Sequence, residues 1–128
     1  LDPRVRVRLE LARQFPPTRR AELLAARAAL QRSFRRELRH ATLIMPTVGH
    51  TPPLLAPLDA SADLFATVNL KTLALTMPAS FIDAAVVAIP SGFDGDGLPI
   101  GVQLIRNSND DDVLLAVAQL VERCMQVS

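Results

Sequence analysis

The 128-residue chain has few aromatic side chains: five Phe, and neither Trp nor Tyr. Platforms for stacking nucleic-acid bases are therefore nearly absent. The single cysteine, Cys124, excludes an intrachain disulfide, and with only two histidines the chain has too few ligands for a structural zinc site. This cysteine usage suits a reducing compartment, so we predict a cytoplasmic protein.

Long apolar runs are also missing. No stretch reaches the length of a membrane span, and the first ten residues lack the apolar core of a signal peptide. Hydrophobic residues nevertheless make up 49% of the chain, which is enough to bury a core in a single domain. We therefore expect a folded protein that does not enter a membrane.

Charge is divided unevenly along the chain. Residues 1–41 hold eleven Arg against four acidic residues, whereas residues 42–128 hold three basic residues against nine acidic ones. This division fits an arginine-faced helix on an acidic body, or a basic arm that faces nucleic acid or a membrane. Helical spacing of the arginines and the absence of interleaved aromatics favour the helix, so we do not expect the isolated chain to bind nucleic acid.

The pattern divides the chain into a segment at 1–16, an Arg-rich helix at 17–41 and a remainder at 42–128. Thr18 is the predicted N-cap of this helix. Its apolar stripe repeats at steps of three and four residues, which is typical of an amphipathic helix. The stripe consists of Leu23, Ala26, Leu30, Phe34, Leu38 and Ala41.

Downstream, the run 42–45 reads as a buried strand that Pro46 stops, and the proline-rich stretch 46–59 as an irregular loop. A second helix is predicted from Ser61, its cap, to Leu73, with Asp63 in its first turn. Its predicted inward residues are Leu64, Phe65, Val68 and Thr72.

The run 84–90 is rich in β-branched residues and reads as a central strand ended by Pro90. Two Asp-Gly pairs follow, which predict a reversal into a return strand at 100–105, that is, an antiparallel hairpin. A last helix is predicted to be capped by Ser108-Asn109 and to open with acidic residues. Its predicted buried stripe is Leu114, Val117, Leu120, Val121 and Cys124.

These elements predict an α/β fold with a partial mixed sheet and flanking helices. Two strands are apolar on both faces, which requires helices on both sides of the sheet. Three strands alone leave open edges. We therefore predict a piece of a larger α/β enzyme, or one half of a tight homo-oligomer.

The segment 85–121 resembles the C-terminal hallmark of the amidase signature family. That hallmark has a strand ending in proline, a small-Gly-Phe turn, an Asp-Gly hairpin, the run LPIGVQLI and an acid-rich turn before a Leu-rich helix. The matching positions are Pro90, Gly92, Phe93, Gly97, Leu98, Pro99, Gly101, Val102, Gln103 and Leu104. Upstream, Pro46-Thr47 and Ala56-Pro57 also match the family, and the segment 1–10 resembles the one before its helix.

The resemblance implies a wall of the substrate pocket in the stretch before the strand at 84–90. Thr76 matches the family's threonine there, whereas Ala74 and Leu75 replace an arginine and an asparagine, and Ser80 replaces a later asparagine. Loops at strand ends usually line sites, so we predict Thr76, Ser80 and Phe81 as pocket-wall residues.

The resemblance also implies hydrolysis of a carbon–nitrogen amide bond by a serine nucleophile, activated through a second serine and a lysine. The family's glycine-serine-rich loop is missing here, and Lys71 is the only lysine. We therefore expect the chain to be the C-terminal portion of an amidase or of one chain of an amidotransferase, inactive alone and without cofactor or metal. Its expected partners are the rest of the amidase domain or another subunit, together with a small amide substrate.

Other residues admit alternative interpretations. Ser80 with Lys71 would make a nucleophile–base pair, but no oxyanion hole is evident nearby. His40 and His50 read as surface side chains, the acids at 110–112 as a helix start and not a metal site, and Cys124 as core. The rival function is a non-catalytic module whose Arg-rich helix binds RNA or an acidic partner, and a truncated, inactive paralogue is a third.

Overall fold

The computed structural model describes residues 3–126, which contain six helices and three strands. The helices are α1 (Pro3–Arg13), α2 (Pro17–Leu38), α3 (Leu55–Ala60), α4 (Ala62–Leu73), α5 (Met77–Phe81) and α6 (Asp111–Gln126). The strands are β1 (Leu43–Pro46), β2 (Ala85–Phe93) and β3 (Pro99–Arg106). The predicted α/β arrangement with flanking helices is confirmed.

The three strands form a sheet in the order β1-β3-β2, and both pairings are antiparallel. The expected mixed sheet is thus purely antiparallel within residues 3–126. The prediction that the 84–90 strand is central was wrong for the sheet of residues 3–126, because β1 pairs with the other side of β3 and leaves β2 at an edge. Nor does Pro90 end its strand, which continues to Phe93. The pairing register shifts between Pro90 and Gly92, and an edge strand tolerates proline, which has no backbone N–H to donate.

The core lies between the sheet and α6. Leu104, which is fully buried on β3, packs with residues of β2 and α6. Its buried neighbours are Ala85, Ile89, Leu114 and Ala118. Small and β-branched side chains let the helix approach the twisted sheet closely, and removing this apolar surface from water is the main favourable term.

The predicted stripe of α6 is correct in part. Leu114 is buried, and Val117 and Val121 are half-buried against the core. Leu120 and Cys124 are exposed, which overturns the prediction for both. The buried face follows the steps Leu114, Ala118, Val121 and Met125, about a third of a turn away from the two exposed residues.

The start of α6 also differs from the prediction of a Ser108-Asn109 cap. The helix begins at Asp111, and the carbonyl of Asp110 accepts from the backbone N–H of Leu114. The hydroxyl of Ser108 donates to the carbonyl of Asp83 instead, and Asn109 adopts a left-handed turn conformation. The acidic first turn, Asp111 and Asp112, is as expected.

The Arg-rich helix exists but is shorter than predicted, ending at Leu38. Its N-cap is Pro16, not Thr18, because Pro17 suits the first helical position and Thr18 falls inside the first turn. No residue of α2 is buried. The helix is tied to the body by Arg27 Nε, 2.6 Å from the carbonyl of Phe81, and Gln31 Nε2, 3.0 Å from that of Ile82.

β1 lies where predicted but is not buried. Ile44 is 53% exposed and Leu43 is 40% exposed, because in the described part of the chain β1 pairs with β3 alone and α6 covers β2 and β3. The stretch 46–59 is irregular as far as Leu54, but α3 occupies its end. Pro57 fits that helix because its first turn needs no amide hydrogen bond at this position.

The predicted α4 helix and its cap are confirmed. The backbone N–H of Leu64 donates to Ser61 Oγ over 3.2 Å. Phe65, Val68 and Thr72 are half-buried as expected, whereas Leu64 is exposed. The short α5, which the sequence analysis did not predict, continues from this helix toward β2.

The predicted β2–β3 hairpin is confirmed, and its turn is closed by one side chain. Asp94 Oδ1 accepts from the backbone N–H groups of Asp96, at 2.9 Å, and Leu98, at 2.8 Å. Of the two Asp-Gly glycines, Gly97 supplies the positive φ, at 78°, and Gly95 does not. A glycine is needed at position 97 because L side chains disfavour this conformation.

Candidate functional site

Gln103 connects the strands to the loops that surround a candidate site at the carboxyl end of β1. Its side chain is 1% exposed, at the centre of the sheet. Its Nε2 donates to the carbonyl of Pro46, at 3.2 Å, and to that of Leu75, at 3.0 Å. Gln103 therefore fixes the end of β1 to the connection between α4 and α5.

His50 fixes the loop that follows β1 against α4. Its Nδ1 lies 2.8 Å from the carbonyl of Thr51, and its Nε2 lies 2.9 Å from Thr72 Oγ1. A carbonyl only accepts, so Nδ1 carries a proton. Thr72 Oγ1 also lies 2.9 Å from the carbonyl of Val68. The Thr72 hydroxyl has one hydrogen, which it donates either to the carbonyl of Val68 or to Nε2 of His50.

Two neighbouring clefts surround this loop, with volumes of about 550 Å³ and about 500 Å³. They share Gly49, His50, Thr51 and Pro53. Lys71, the chain's only lysine, lines the larger cleft, and Ser91 lines the smaller one.

Unsatisfied polar atoms lie in the same part of the fold. Thr47 Oγ1 and Gln103 Oε1 are buried and have no hydrogen-bond partner within residues 3–126. Thr47 is joined to the sheet through its backbone N–H, which donates to the carbonyl of Gly101. Buried polar atoms normally find partners, so these two are available to further polypeptide, water or a ligand.

The three predicted pocket-wall residues lie on or beside α5. Thr76 is half-buried at the N-terminal end of α5, and its hydroxyl donates to the carbonyl of Leu73 over 3.3 Å. Ser80 is exposed. Phe81 is 41% exposed and lines an apolar cavity of about 520 Å³, which neither Thr76 nor Ser80 lines.

That apolar cavity lies between α2, β1 and α5. Most of its lining is apolar, and its polar lining side chains are Ser33 and Glu37. Its principal apolar contributors are Leu30, Phe34, Leu43, Met45, Phe81 and Ile105. A cavity of this kind can hold an apolar group, or apolar side chains of another polypeptide segment, but it contains no nucleophile–base pair.

The described residues assemble no hydrolytic centre. Ser80 does not line the cleft that contains Lys71, and no hydrogen bond joins the two within residues 3–126. No group of three His, Cys, Asp or Glu residues suited to a metal ion occurs among the residues searched. In the same part of the chain, no helix has both the length and the apolar character to cross a membrane.

Sequence reasoning missed two residues that organise this part of the molecule. The family pattern includes Gln103 but gives it no structural role, and the sequence-based predictions do not include Arg106. Arg106 is 6% exposed and pairs with Asp110 at 3.2 Å. The available signal was an amide and a guanidinium in a strand that is otherwise apolar, because such groups are buried only when partnered.

Comparison with known proteins identifies the class of this chain. The family model described as Amidase matches residues 1–115. The chain therefore belongs to the amidase signature family, as its resemblance to the family implied.

Two relatives illustrate the range of the similarity. One subunit of the glutamyl-tRNA(Gln) amidotransferase of Prochlorococcus marinus (strain MIT 9303) is 40% identical over 85 residues, which cover 66% of this chain and 17% of the relative. The 6-aminohexanoate-cyclic-dimer hydrolase of Paenarthrobacter ureafaciens is 32% identical over 88 residues, covering 62% of this chain and 18% of the relative. The chain thus matches less than a fifth of either protein.

Proposed function

We propose that this chain is the C-terminal portion of an amidase signature hydrolase that cleaves a carbon–nitrogen amide bond. The serine nucleophile, second serine and lysine of the family's chemistry would lie in polypeptide outside these 128 residues. Family membership supports the reaction class, and the coverage of less than a fifth of two relatives supports the partial domain. On this proposal residues 1–128 form one region of a larger amidase domain and have no activity alone.

The observation that carries the proposal is the sheet with two open edges. β1 and β2 each pair only with β3 in the described part of the chain. Ile44 on β1 and Val86 on β2 are exposed apolar side chains, and the apolar cavity opens beside β1. Open edges and exposed apolar surface favour pairing with further polypeptide, so the surrounding domain would cover them.

Within the complete enzyme, we place Thr76, Ser80 and Phe81 on the wall of the substrate pocket. Gln103 supports this placement by fixing Leu75, the residue before Thr76, to the sheet. The wall residues would shape the pocket and exclude water while the catalytic serine lies elsewhere. No cofactor or metal takes part in this proposal.

The partners that we propose are the remainder of the amidase domain, or another subunit of an amidotransferase, together with a small amide substrate. The relative from Prochlorococcus is named as a subunit, which supports an assembly of several chains. A homo-oligomer is a second way of covering the open edges. We place the protein in the cytoplasm because of its cysteine usage.

The coding sequence upstream of Leu1 provides the first test. We expect it to encode, in frame, a glycine-serine-rich segment with a lysine some tens of residues before it. The complete polypeptide should then release ammonia from short amides, whereas residues 1–128 alone should not. Replacing the serine of the upstream segment with alanine should abolish the release, and activity of residues 1–128 alone would contradict the proposal.

The rival function, a non-catalytic binding module, predicts a different outcome. Such a module would begin at a start codon in place of the upstream segment, and no added polypeptide would restore hydrolysis. A truncated paralogue with a structural role would also lack hydrolysis. Unlike the binding module, it would show no salt-dependent binding.

A further inference from the structure

The C-terminal half of α2 and its C-cap residue carry a basic face, which consists of Arg32, Arg35, Arg36 and Arg39. The steps of three and four residues place Arg32, Arg35 and Arg36 on one side of the helix, and Arg39 follows directly after the last helical residue with a positive φ. All four residues are exposed. The opposite side of the helix carries Leu30 and Phe34, which line the apolar cavity, so the basic face points away from the body.

This face keeps most of its charge. Arg36 is paired with Glu37 at 2.9 Å, an exposed contact, whereas Arg32, Arg35 and Arg39 have no carboxylate partner among the described residues. The arginines nearer the body are used differently. Arg27, for example, lies 3.7 Å from Asp83 and donates to a backbone carbonyl. The unpaired charge is therefore concentrated on the outer side of the helix.

The sequence-based expectation was that the isolated chain does not bind nucleic acid. Against that expectation, we propose that the basic face binds the phosphodiester backbone of a nucleic acid. Guanidinium groups donate in a planar fork that fits phosphate oxygens, and a nucleic acid presents negative charge at a density that matches closely spaced arginines. The scarcity of aromatic residues argues only against base stacking, because phosphate contacts do not need an aromatic platform. Binding is thus independent of sequence, and independent of the amidase role proposed above.

The surroundings of the basic face favour a nucleic acid over a membrane. On the same side of the helix, toward its N-terminal end, the residues are Ala21, Ala25 and Ala28. These small side chains let a rigid backbone approach the helix closely. They offer little apolar surface for insertion into a bilayer, and two of the helix's larger apolar residues, Leu30 and Phe34, line the cavity.

Fluorescence anisotropy with a labelled RNA duplex and the corresponding DNA duplex tests the proposal. We compare the chain with a variant carrying Arg32→Gln, Arg35→Gln and Arg39→Gln. The matched control carries Arg13→Gln, Arg19→Gln and Arg20→Gln, which removes the same charge from other positions. Glutamine keeps the helix propensity close to that of arginine, and circular dichroism confirms that the variants fold.

We expect binding that weakens steeply with salt. The basic-face variant should bind at least tenfold more weakly, with a slope of log affinity against log salt that is smaller by about 2 to 3. Tighter binding of one duplex identifies RNA or DNA as the source of the phosphodiester. Three results would overturn the proposal. They are equal losses of affinity in the two variants, displacement of the duplex by polyglutamate added at the same concentration of negative charge, and tighter binding to anionic vesicles than to either duplex.

Discussion

Arg106 Nη1 donates to the carbonyl oxygen of His40 over 2.7 Å, which joins the last residue of β3 to the segment that follows α2. Next to it, Asn107 Nδ2 donates to the carbonyl oxygen of Arg39 at 2.9 Å. Carbonyl groups at the end of a helix have no hydrogen-bond donors within the helix. The side chains of Arg106 and Asn107 supply the missing donors. The Arg-rich helix is thus held at its C-terminal end by residues almost seventy positions later.

Replacing Arg106 with Gln should destabilise the fold by about 1.5 to 3 kcal/mol, because it removes charged hydrogen bonds of a buried guanidinium and leaves Asp110, whose side chain is 33% exposed, without its cation. Urea denaturation measures the change. The matched control is Arg123→Gln on the exposed side of α6, which should stay within about 0.5 kcal/mol of the parent. Equal effects in the two variants would show that Arg106 contributes no more than a surface charge.

Replacing Gln103 with Leu should cost about 2 kcal/mol in the free energy of unfolding. Leucine has a similar size, but the carbonyls of Pro46 and Leu75 lose their donor in a buried place. The exposed Gln119 on α6 provides the control substitution Gln119→Leu. Because Leu also removes the unsatisfied Oε1 of Gln103, a stabilised variant would mean that this atom, and not the two hydrogen bonds, dominates the balance.

The hairpin glycines should differ in their tolerance of alanine. Gly97→Ala should destabilise by about 1 kcal/mol or more because φ is +78° there, whereas Gly95→Ala should be neutral or slightly stabilising. An added Cβ meets nothing within 4 Å at either site, so the difference isolates the backbone conformation. Thermal unfolding of the two variants makes the comparison, and equal melting temperatures would contradict it.

Asp83 has a positive φ of 61° at the turn before β2. Asp83→Gly should therefore be more stable than Asp83→Ala by about 1 kcal/mol. Both substitutions remove the exposed contact with Arg27, so its small contribution cancels between them. Chemical denaturation gives the difference, and an alanine variant as stable as the glycine variant would show that the turn relaxes without strain.

Much of the fold was predictable from local patterns. The hairpin between β2 and β3 follows from turn chemistry, and the α4 cap at Ser61 follows from a short side chain that accepts a hydrogen bond from the backbone. Both features depend on residues within about ten positions of each other. The acidic first turn of α6 belongs to the same group, because the interaction of acids with a helix start is local.

The predictions were wrong where burial or strand order depends on contacts between segments far apart in the sequence. Leu120 and Cys124 were predicted to be buried because they are apolar. They are exposed because a different side of α6, with Leu114 and Ala118, packs against Leu104. The central place of β3 likewise depends on β1, which lies more than fifty residues earlier. Sequence periodicity indicates that a stripe exists without specifying its partner.

For the candidate site, the sequence indicated a segment but not its contacts. Thr76, Ser80 and Phe81 were placed by resemblance, and their role in a pocket stays a prediction. The structure brings Phe81 to an apolar cavity and holds the neighbouring Leu75 through Gln103. These contacts join residues about thirty to fifty positions apart, so no local pattern contains them.

The sequence by itself determined the family, the α/β class, the hairpin and the division of charge, because each depends on residue types and short spacings. Only the tertiary structure decided which strand is central, which residues of α6 are buried, and that Arg106 and Gln103 hold distant carbonyls. The physical reason is that the burial of polar groups and the order of the strands depend on all the hydrogen-bond and packing partners that the chain can provide. That set exists only once the chain has folded.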